Sequence, residues 1–195
     1  MASSSPFASW LRKQPALVGE PPALVLEDLP DDPIALFIEW MKDAAARGVA
    51  EPHAATLATV DADGAPDART LLVKDVSARG WAFAGPRGSV KGSQLSAAPV
   101  AAMNFWWQPV RRAVRVRGAV QEASALESEA DLAERSAAAR AGIAAGEWVR
   151  WWLEPSRIEF WQGATDRRHV RIVYMHERNR WTRAIGSGES SREGG

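Results

Sequence analysis

Arginine and histidine alternate in one short segment near the carboxyl end of the chain, Arg167-x-His169-x-Arg171. On an extended backbone, residues two apart project from the same face, so this segment would place two guanidiniums beside an imidazole. Cations crowded in this way repel one another unless an anion meets them. Phosphate suits the planar donor fork of arginine, and the spacing therefore indicates a phosphate-bearing ligand. The alternative is a basic edge strand whose charges face water.

Two further groups of cations could bind an anion. Arg69 and Lys74 flank an apolar run and are five residues apart, so on a regular strand they point to opposite faces. One ligand could touch both only over an end of the strand or beside its edge. The glycine-rich stretch from Gly85 to Gly92 leads into a predicted helix, where free backbone N–H groups and Lys91 would attract an anion. Taken alone, these groups are also explained as surface charges and as an ordinary capped turn.

Composition excludes several other kinds of site. The chain has no cysteine, which rules out disulfides, zinc-thiolate sites and thiol nucleophiles. Its histidines, His53, His169 and His176, form no paired motif, so we expect no metal site. Basic and acidic residues balance at 24 each, which argues against a general nucleic-acid binder. With neither a secretory signal nor a long apolar run visible, we expect a cytoplasmic protein.

The elements that must position these groups are mostly strands. Strands are predicted at 54–60, 67–74, 81–85, 100–108, 113–122, 157–161, 170–176 and 181–185, and helices at 33–47, 89–97 and 126–145. Many short strands with few helices predict an antiparallel β-barrel with flanking helices, of the α+β class. We expect one domain over residues 31–185. Before it, residues 1–30 hold five prolines and predict a flexible or draped arm, and after it residues 186–195 predict a disordered tail.

Tryptophan is abundant, with ten in 195 residues. Trp106, Trp107, Trp151 and Trp152 suggest more apolar area than one small core needs, and obligate interfaces use such residues. This pattern predicts a homodimer. The alternatives are that tryptophan fills the core or stacks on a planar ligand.

The order of these motifs resembles the pyridoxamine 5′-phosphate oxidase family. Arg157-Ile-Glu-Phe-Trp-Gln-Gly163 followed by Arg167-x-His169-x-Arg171 matches the carboxyl-terminal signature of that family closely. Supporting stretches are 55–64, 69–74, 89–92 and 114–118, and together the matches cover about residues 31–185. The resemblance implies an FMN-binding split β-barrel and a homodimer with FMN at the subunit interface.

The resemblance also implies a role for each candidate residue. FMN contacts are implied for Arg69, Thr70, Leu71, Leu72, Val73, Lys74, Lys91, Trp161 and Arg171. Arg69 and Lys91 would hold the FMN phosphate. Substrate contacts are implied for Lys74, Arg135, Arg167 and His169. Lys74 and Arg135 would bind the substrate phosphate, while Arg167 and His169 would lie over the pyridine ring as catalytic residues.

Four positions depart from the pattern of the family. Val90 stands where an arginine usually binds the FMN phosphate, and Ala113 where a glutamine meets the isoalloxazine. Asp131 replaces a tyrosine and Ala139 a serine at the substrate phosphate. A carboxylate at such a position repels phosphate. The segment between the Arg135 helix and Trp148, which normally supplies a polar FMN contact, is shortened as well.

Three functions remain open on this basis. The first is an FMN-dependent oxidase of pyridoxamine or pyridoxine phosphate, in which hydride passes from the C4′ carbon to flavin N5 and oxygen reoxidises the flavin. The second keeps the flavin but oxidises polycyclic aromatic acids, as the family's phenazine-biosynthesis oxidases do, and Asp131 and Ala139 favour it. The third is a non-catalytic dimer that binds flavin or pyridoxal phosphate, which Val90 and Ala113 favour.

Overall fold

The computed structural model describes residues 5–187, and in that range nine strands form one sheet in which every pairing is antiparallel. The strands are β1 (Ala54–Val60), β2 (Pro66–Leu72), β3 (Asp75–Ser77), β4 (Gly80–Pro86), β5 (Val100–Trp107), β6 (Arg112–Glu122), β7 (Trp148–Gln162), β8 (Val170–Glu177) and β9 (Arg180–Ser187). The helices are α1 (Pro6–Arg12), α2 (Pro33–Ala46), α3 (Val90–Ala97), α4 (Ala125–Ala133) and α5 (Ala137–Arg140). The predicted antiparallel sheet with flanking helices is confirmed.

The sheet closes where the chain passes from β2 to β3. Along the path β2-β1-β5-β6-β7-β4-β3, the end strands are β2 and β3, and β8 and β9 branch from β7. Val73 donates its backbone N–H to the carbonyl of His53 at 3.0 Å, and Lys74 donates to Ala82 at 2.8 Å. Consecutive residues therefore continue the β1–β2 and the β3–β4 pairings, so the chain itself joins the two ends of this strand order and closes the barrel.

The barrel divides along β7. The first part of this strand, residues 148–153, pairs with β4, whereas residues 157–162 pair with β8. Pro155 lies between the two parts and has no N–H to donate. The partner strand β6 shifts register there, and Gly118 lies so close that a Cβ atom would be 1.8 Å from the carbonyl oxygen of Glu154. Only glycine fits this contact, so the change of partner is built on Gly118.

Alternation along the strands separates a buried face from an outward face. Many of the inward side chains are at most 1% exposed. They include Leu57, Met103, Phe105, Trp107, Val114, Val116, Ile158, Phe160, Ile172 and Tyr174. Helix α2 closes this core with Phe37, Trp40 and Ala44, which recur at helical spacing on one face. Asp32 caps the helix by accepting the N–H of Ile34 at 2.9 Å.

Three of the four tryptophans used to predict a dimer lie in the core of the single chain. Trp107, Trp151 and Trp152 are 1%, 2% and 4% exposed, whereas Trp106 is 48% exposed. The argument from excess tryptophan was therefore wrong for three residues. The homodimer itself stays a prediction.

Three predicted elements differ from the structure. The helix expected at 126–145 ends at Ala133 and is followed by the four-residue α5. Gly142 and Gly146 have φ angles of 80° and 78°, which a right-handed helix does not accommodate. The strand expected from Arg157 begins at Trp148 instead. The last strand continues to Ser187, two residues into the predicted tail, and residues 188–195 lie outside the described residues.

The described part of the amino-terminal arm lies draped over the barrel. Gln108 and Gln162 donate side-chain N–H groups to the carbonyls of Val18 and Pro22, at 2.5 and 3.1 Å. The buried Tyr174 donates its hydroxyl to the carbonyl of Pro30 at 2.7 Å. Within residues 5–187, no helix is long and apolar enough to cross a bilayer.

Candidate functional site

A first cationic cluster joins Arg69 of β2 to Lys91 in the first turn of α3. Ser89 caps that helix, as predicted, by accepting the N–H of Gly92. The Lys91 Nζ lies 3.4 Å from the Ser89 hydroxyl and 5.8 Å from the Trp151 ring centre. Burial, followed by the nearby positive charge of Arg69, lowers the pKa of Lys91. Among the described residues no carboxylate pairs with Lys91, so this ammonium is available to an anionic ligand.

Polar groups that the sequence did not reveal hold Arg69 in place. Its guanidinium donates to the Thr59 hydroxyl, to Gln94 Oε1 at 2.9 Å and to Asp67 Oδ2 at 2.6 Å. Thr59 and Gln94 are 3% and 8% exposed, and their side chains bond to each other at 2.6 Å. Asp67 lies two residues before Arg69 on the same face of β2, a spacing that could have predicted the pair.

The other residues expected to contact FMN on this strand follow Arg69 directly. Thr70, Leu71 and Leu72 complete β2, and Val73 and Lys74 form the closing contact of the barrel. Val73 is buried, whereas Thr70 and Leu72 are exposed. Since β2 is an edge strand, one side of this segment is open to a ligand.

A second cluster brings Lys74 together with Arg135. The two cations line a cavity of about 320 Å³ with Asp131, Glu134, Ser136 and Ala139. The Arg135 guanidinium stacks on the Trp148 ring at 4.4 Å, and its buried Nε has no hydrogen-bond partner among the described residues. An unpaired buried donor beside a polar cavity is a feature of a binding site.

The carboxylate of Asp131 has a structural partner in this cavity. Its Oδ2 accepts the indole N–H of Trp148 at 2.7 Å, and the residue is 6% exposed. Asp131 thus orients the ring on which Arg135 stacks. The sequence identified Asp131 as a negative charge at the cavity but did not reveal this bond.

A third surface crosses the outward face of the sheet. Trp106, Ala113, Trp161 and Arg171 are paired in register across β5, β6, β7 and β8. Trp161 lies 6.0 Å from Trp106 and 5.0 Å from the ring of His169. The small side chain of Ala113 lies between the two indoles. The row forms a partly exposed aromatic surface with a guanidinium at one end.

Glu159 binds the arginines of this outward face, and sequence reasoning missed it. The residue is 2% exposed and accepts from Arg115, from Arg157 at 2.7 Å and from Arg171 at 2.8 Å. Burial raises the pKa of Glu159, but the hydrogen bonds and charge of Arg115 and its neighbours outweigh burial and leave it below the ordinary value. Glu159 therefore stays ionised and fixes the direction of Arg171.

The segment that carries Arg167 and His169 is not extended, contrary to the prediction. Strand β8 begins at Val170, and Arg167 has a φ of 65° in a turn. The three side chains therefore do not share one strand face. His169 Nδ1 accepts the N–H of Ala164 at 3.0 Å, so in the neutral ring the proton is on Nε2, free to donate. Arg167 is exposed, and its side chain makes no hydrogen bond or ion pair within residues 5–187.

The first cluster and the outward surface lie on opposite faces of the sheet. Arg69 pairs with Leu57 of β1, and the row continues through Met103, Val116 and Ile158. Directly opposed residues share a face, and this row faces the core. Trp161 is three residues beyond Ile158 on β7 and so projects from the other face.

Comparison with known proteins relates this arrangement to one family. A family model described as pyridoxamine 5′-phosphate oxidase matches residues 41–171. A pyridoxine/pyridoxamine 5′-phosphate oxidase of Pseudomonas paraeruginosa is 37% identical over 188 residues, covering 79% of this chain and 87% of the relative. An oxidase of the same name from Caulobacter vibrioides is 34% identical over 194 residues, covering 83% and 86%.

Two solved structures share the fold. PhzG from Burkholderia lata 383, in complex with tetrahydrophenazine-1-carboxylic acid, has a TM-score of 0.79 and 25% identity, covering 87% of this chain and all 100% of that chain. A pyridoxamine 5′-phosphate oxidase-related, FMN-binding protein from Nostoc punctiforme has a TM-score of 0.66 and 17% identity, covering 83% and 100%. The predicted split barrel is confirmed by these likenesses. Since the family model spans most of the chain and the relatives exceed 30% identity over most of it, this chain belongs to the pyridoxamine 5′-phosphate oxidase family.

Proposed function

We propose that the protein is an FMN-dependent oxidase whose site is completed by a second copy of the chain. The observation that carries this proposal is the separation of the expected flavin contacts. Arg69 and Lys91 lie at the inward-facing side of the sheet, whereas Trp161 and Arg171 lie on its outward face. One flavin can meet both sets only if two chains contribute, which favours a homodimer with a site at each interface.

The residues present fit flavin mononucleotide. Lys91 is partly buried and has no carboxylate partner within residues 5–187, and Arg69 is fixed beside it by buried polar groups. This donor set suits a phosphate. Trp161 and the small Ala113 offer a flat apolar surface suited to the isoalloxazine. Bound FMN would supply the acceptor for a hydride and the route to oxygen.

The residues of this chain would bind and orient the substrate. Lys74 and Arg135 would hold its anionic group in the cavity, and Arg135 is already stacked on Trp148. His169 presents Nε2–H and can donate to the substrate ring, while the exposed Arg167 is free to pair with it. Orientation of this kind lowers the barrier to hydride transfer because the reacting atoms are held in line.

Pyridoxamine or pyridoxine 5′-phosphate is the first candidate substrate. The relatives at 34–37% identity are named for oxidation of these compounds. Two cations at one cavity are the chemistry that a phosphate ester needs.

An aromatic carboxylic acid is the second candidate substrate. The cavity also contains Asp131 and Glu134, so its four charged groups sum to zero, and a monoanion is less opposed there than a phosphate dianion. The complex of PhzG with tetrahydrophenazine-1-carboxylic acid supports this alternative by structural likeness.

The absorbance spectrum of the purified protein, with and without added FMN, tests the proposal. Flavin bands that remain after gel filtration would support it, and a protein that retains none at saturating FMN would overturn it. Anaerobic addition of pyridoxamine 5′-phosphate should then bleach the bands. Bleaching by a dihydrophenazine carboxylic acid alone would select the second substrate, and bleaching by neither would favour a binding protein.

A further inference from the structure

Arg69 already has an anionic partner within its own strand. Asp67 Oδ2 lies 2.6 Å from the guanidinium and also accepts from Gln94 Nε2 at 3.2 Å. The hydrogen bond from Gln94, followed by one from the backbone of Ala68, holds the pKa of Asp67 below its ordinary value. Asp67 is therefore charged near neutral pH and occupies one of the directions in which Arg69 could bind a ligand.

The remaining groups of this cluster do not compensate for that carboxylate. Arg69 and Lys91 carry one positive charge each, so with Asp67 the three groups sum to a single positive charge. Val90, at the start of α3, is 64% exposed and has no side-chain donor. A phosphate dianion is therefore only partly neutralised at this cluster.

The two partners differ in how easily they can move. Arg69 is 23% exposed and is bonded to the buried Thr59 and Gln94, whereas Asp67 is 47% exposed. Rotation of Asp67 into solvent would free the guanidinium at the cost of its hydrogen bond from Gln94. A ligand phosphate must either displace Asp67 in this way or bind beside its charge, and both cost affinity.

We propose that Asp67 is a specificity-determining residue, which competes with phosphate for Arg69 and so reduces the preference of the site for flavin mononucleotide over riboflavin. This inference rests on the proposed function, because it takes a flavin as the ligand. Riboflavin has the same ring system but no phosphate. Asp67 should therefore weaken the binding of FMN and leave the binding of riboflavin unchanged.

The test is Asp67→Asn, with the dissociation constants of the flavin-free protein for FMN and riboflavin measured by fluorescence quenching. Removal of one charge a few ångströms from the phosphate should lower the dissociation constant for FMN roughly tenfold. The dissociation constant for riboflavin should stay within about twofold of the wild-type value, since riboflavin has no phosphate charge for Asp67 to repel. The change for FMN should also shrink as salt is raised.

Two variants serve as controls. Asp63→Asn removes the same charge in the turn between β1 and β2, where Asp63 has no ion pair among the described residues. Asp67→Glu keeps the charge and should retain the weak FMN binding. The inference would be overturned if Asp63→Asn raised the affinity for FMN as much as Asp67→Asn does. It would also be overturned if Asp67→Asn bound FMN more weakly than wild type. A wild type that binds neither flavin would overturn the proposed function and this inference together, whereas one that binds both with no change in Asp67→Asn would overturn the inference alone.

Discussion

Arg167, His169 and Arg171 alternate in sequence, but each has a different environment. Arg171 lies on β8 and is held by Glu159, His169 is bonded to the backbone of Ala164, and Arg167 is exposed in a turn. Arg171 is thus fixed on the surface proposed for the flavin, whereas the other two side chains can face a substrate. This difference predicts separate effects of mutation.

Arg167→Ala and His169→Ala should each leave flavin content unchanged but lower kcat/KM for the substrate by about tenfold to a hundredfold, because a positioning group is lost. Arg171→Ala should instead reduce flavin content. The measurement is flavin absorbance beside steady-state oxidation of pyridoxamine 5′-phosphate. Arg168→Ala is the control, since that side chain is 85% exposed and, in the part of the chain that the structure describes, pairs only with Asp166. Loss of flavin in Arg167→Ala with retention in Arg171→Ala would reverse the assignment.

Glu159→Gln should destabilise the protein because three guanidiniums lose their shared carboxylate. Arg115 and Arg171 are 53% and 43% exposed, so water compensates in part and we expect a loss of about 1–3 kcal/mol in the free energy of unfolding. Urea denaturation measures this change. Glu154→Gln on the same strand is the control, because Glu154 is more exposed and its carboxylate accepts only from Gln121 among the described side chains.

The effect of Glu159 should depend on pH in a stated direction. Its pKa in the folded protein lies below the ordinary value of 4.5. The carboxylate therefore contributes its full stability above the unfolded value and loses it as the pH falls through the lower folded value. The difference in the free energy of unfolding between wild type and Glu159→Gln should be complete at pH 7 and should shrink as the pH falls below 4.5. A difference that grows in acid would contradict this account.

At the scale of elements, β7 is central because it pairs with β4, β6 and β8 and carries Glu159 and Trp161. Its change of partner depends on the close approach of Gly118 to Glu154. Gly118→Ala should therefore cost about 1–3 kcal/mol of stability, as overpacking does. Gly186→Ala on β9 should not destabilise the protein, because the added Cβ would meet no described atom within 4 Å apart from its own neighbours in the chain. Thermal unfolding of both variants decides the question, and equal melting temperatures would show that β7 tolerates the added methyl.

At the scale of the whole molecule, the proposed site takes residues from two chains. Lys91→Ala and Arg171→Ala should each lose flavin, but a mixed dimer of the two variants contains one site with both side chains intact. After unfolding and refolding an equal mixture, about a quarter of the sites should bind flavin like wild type, since random assortment gives half mixed dimers. Titration with FMN and light scattering measure this recovery. If the refolded mixture is shown to be dimeric and recovers no flavin binding, all flavin contacts lie within one chain.

Local patterns in the sequence determined much of the architecture. Asp32 and Pro33 start α2, Ser89 caps α3, and the alternation of valine with arginine marks β6, because caps and strand periodicity depend on residues only a few positions apart. The resemblance to the family also singled out Lys74 and Arg135, which line one cavity in the fold. The family follows from the same motifs.

Only the tertiary structure decided which of these residues act on one another. Glu159 meets Arg115 across 44 positions of sequence, Arg69 meets Gln94 across 25, and Asp131 meets Trp148 across 17. The structure also separated Arg69 from Trp161 by the thickness of the sheet and turned Arg167 out of the strand. Such contacts depend on strand order and register, which join residues far apart in the chain and leave no local periodicity.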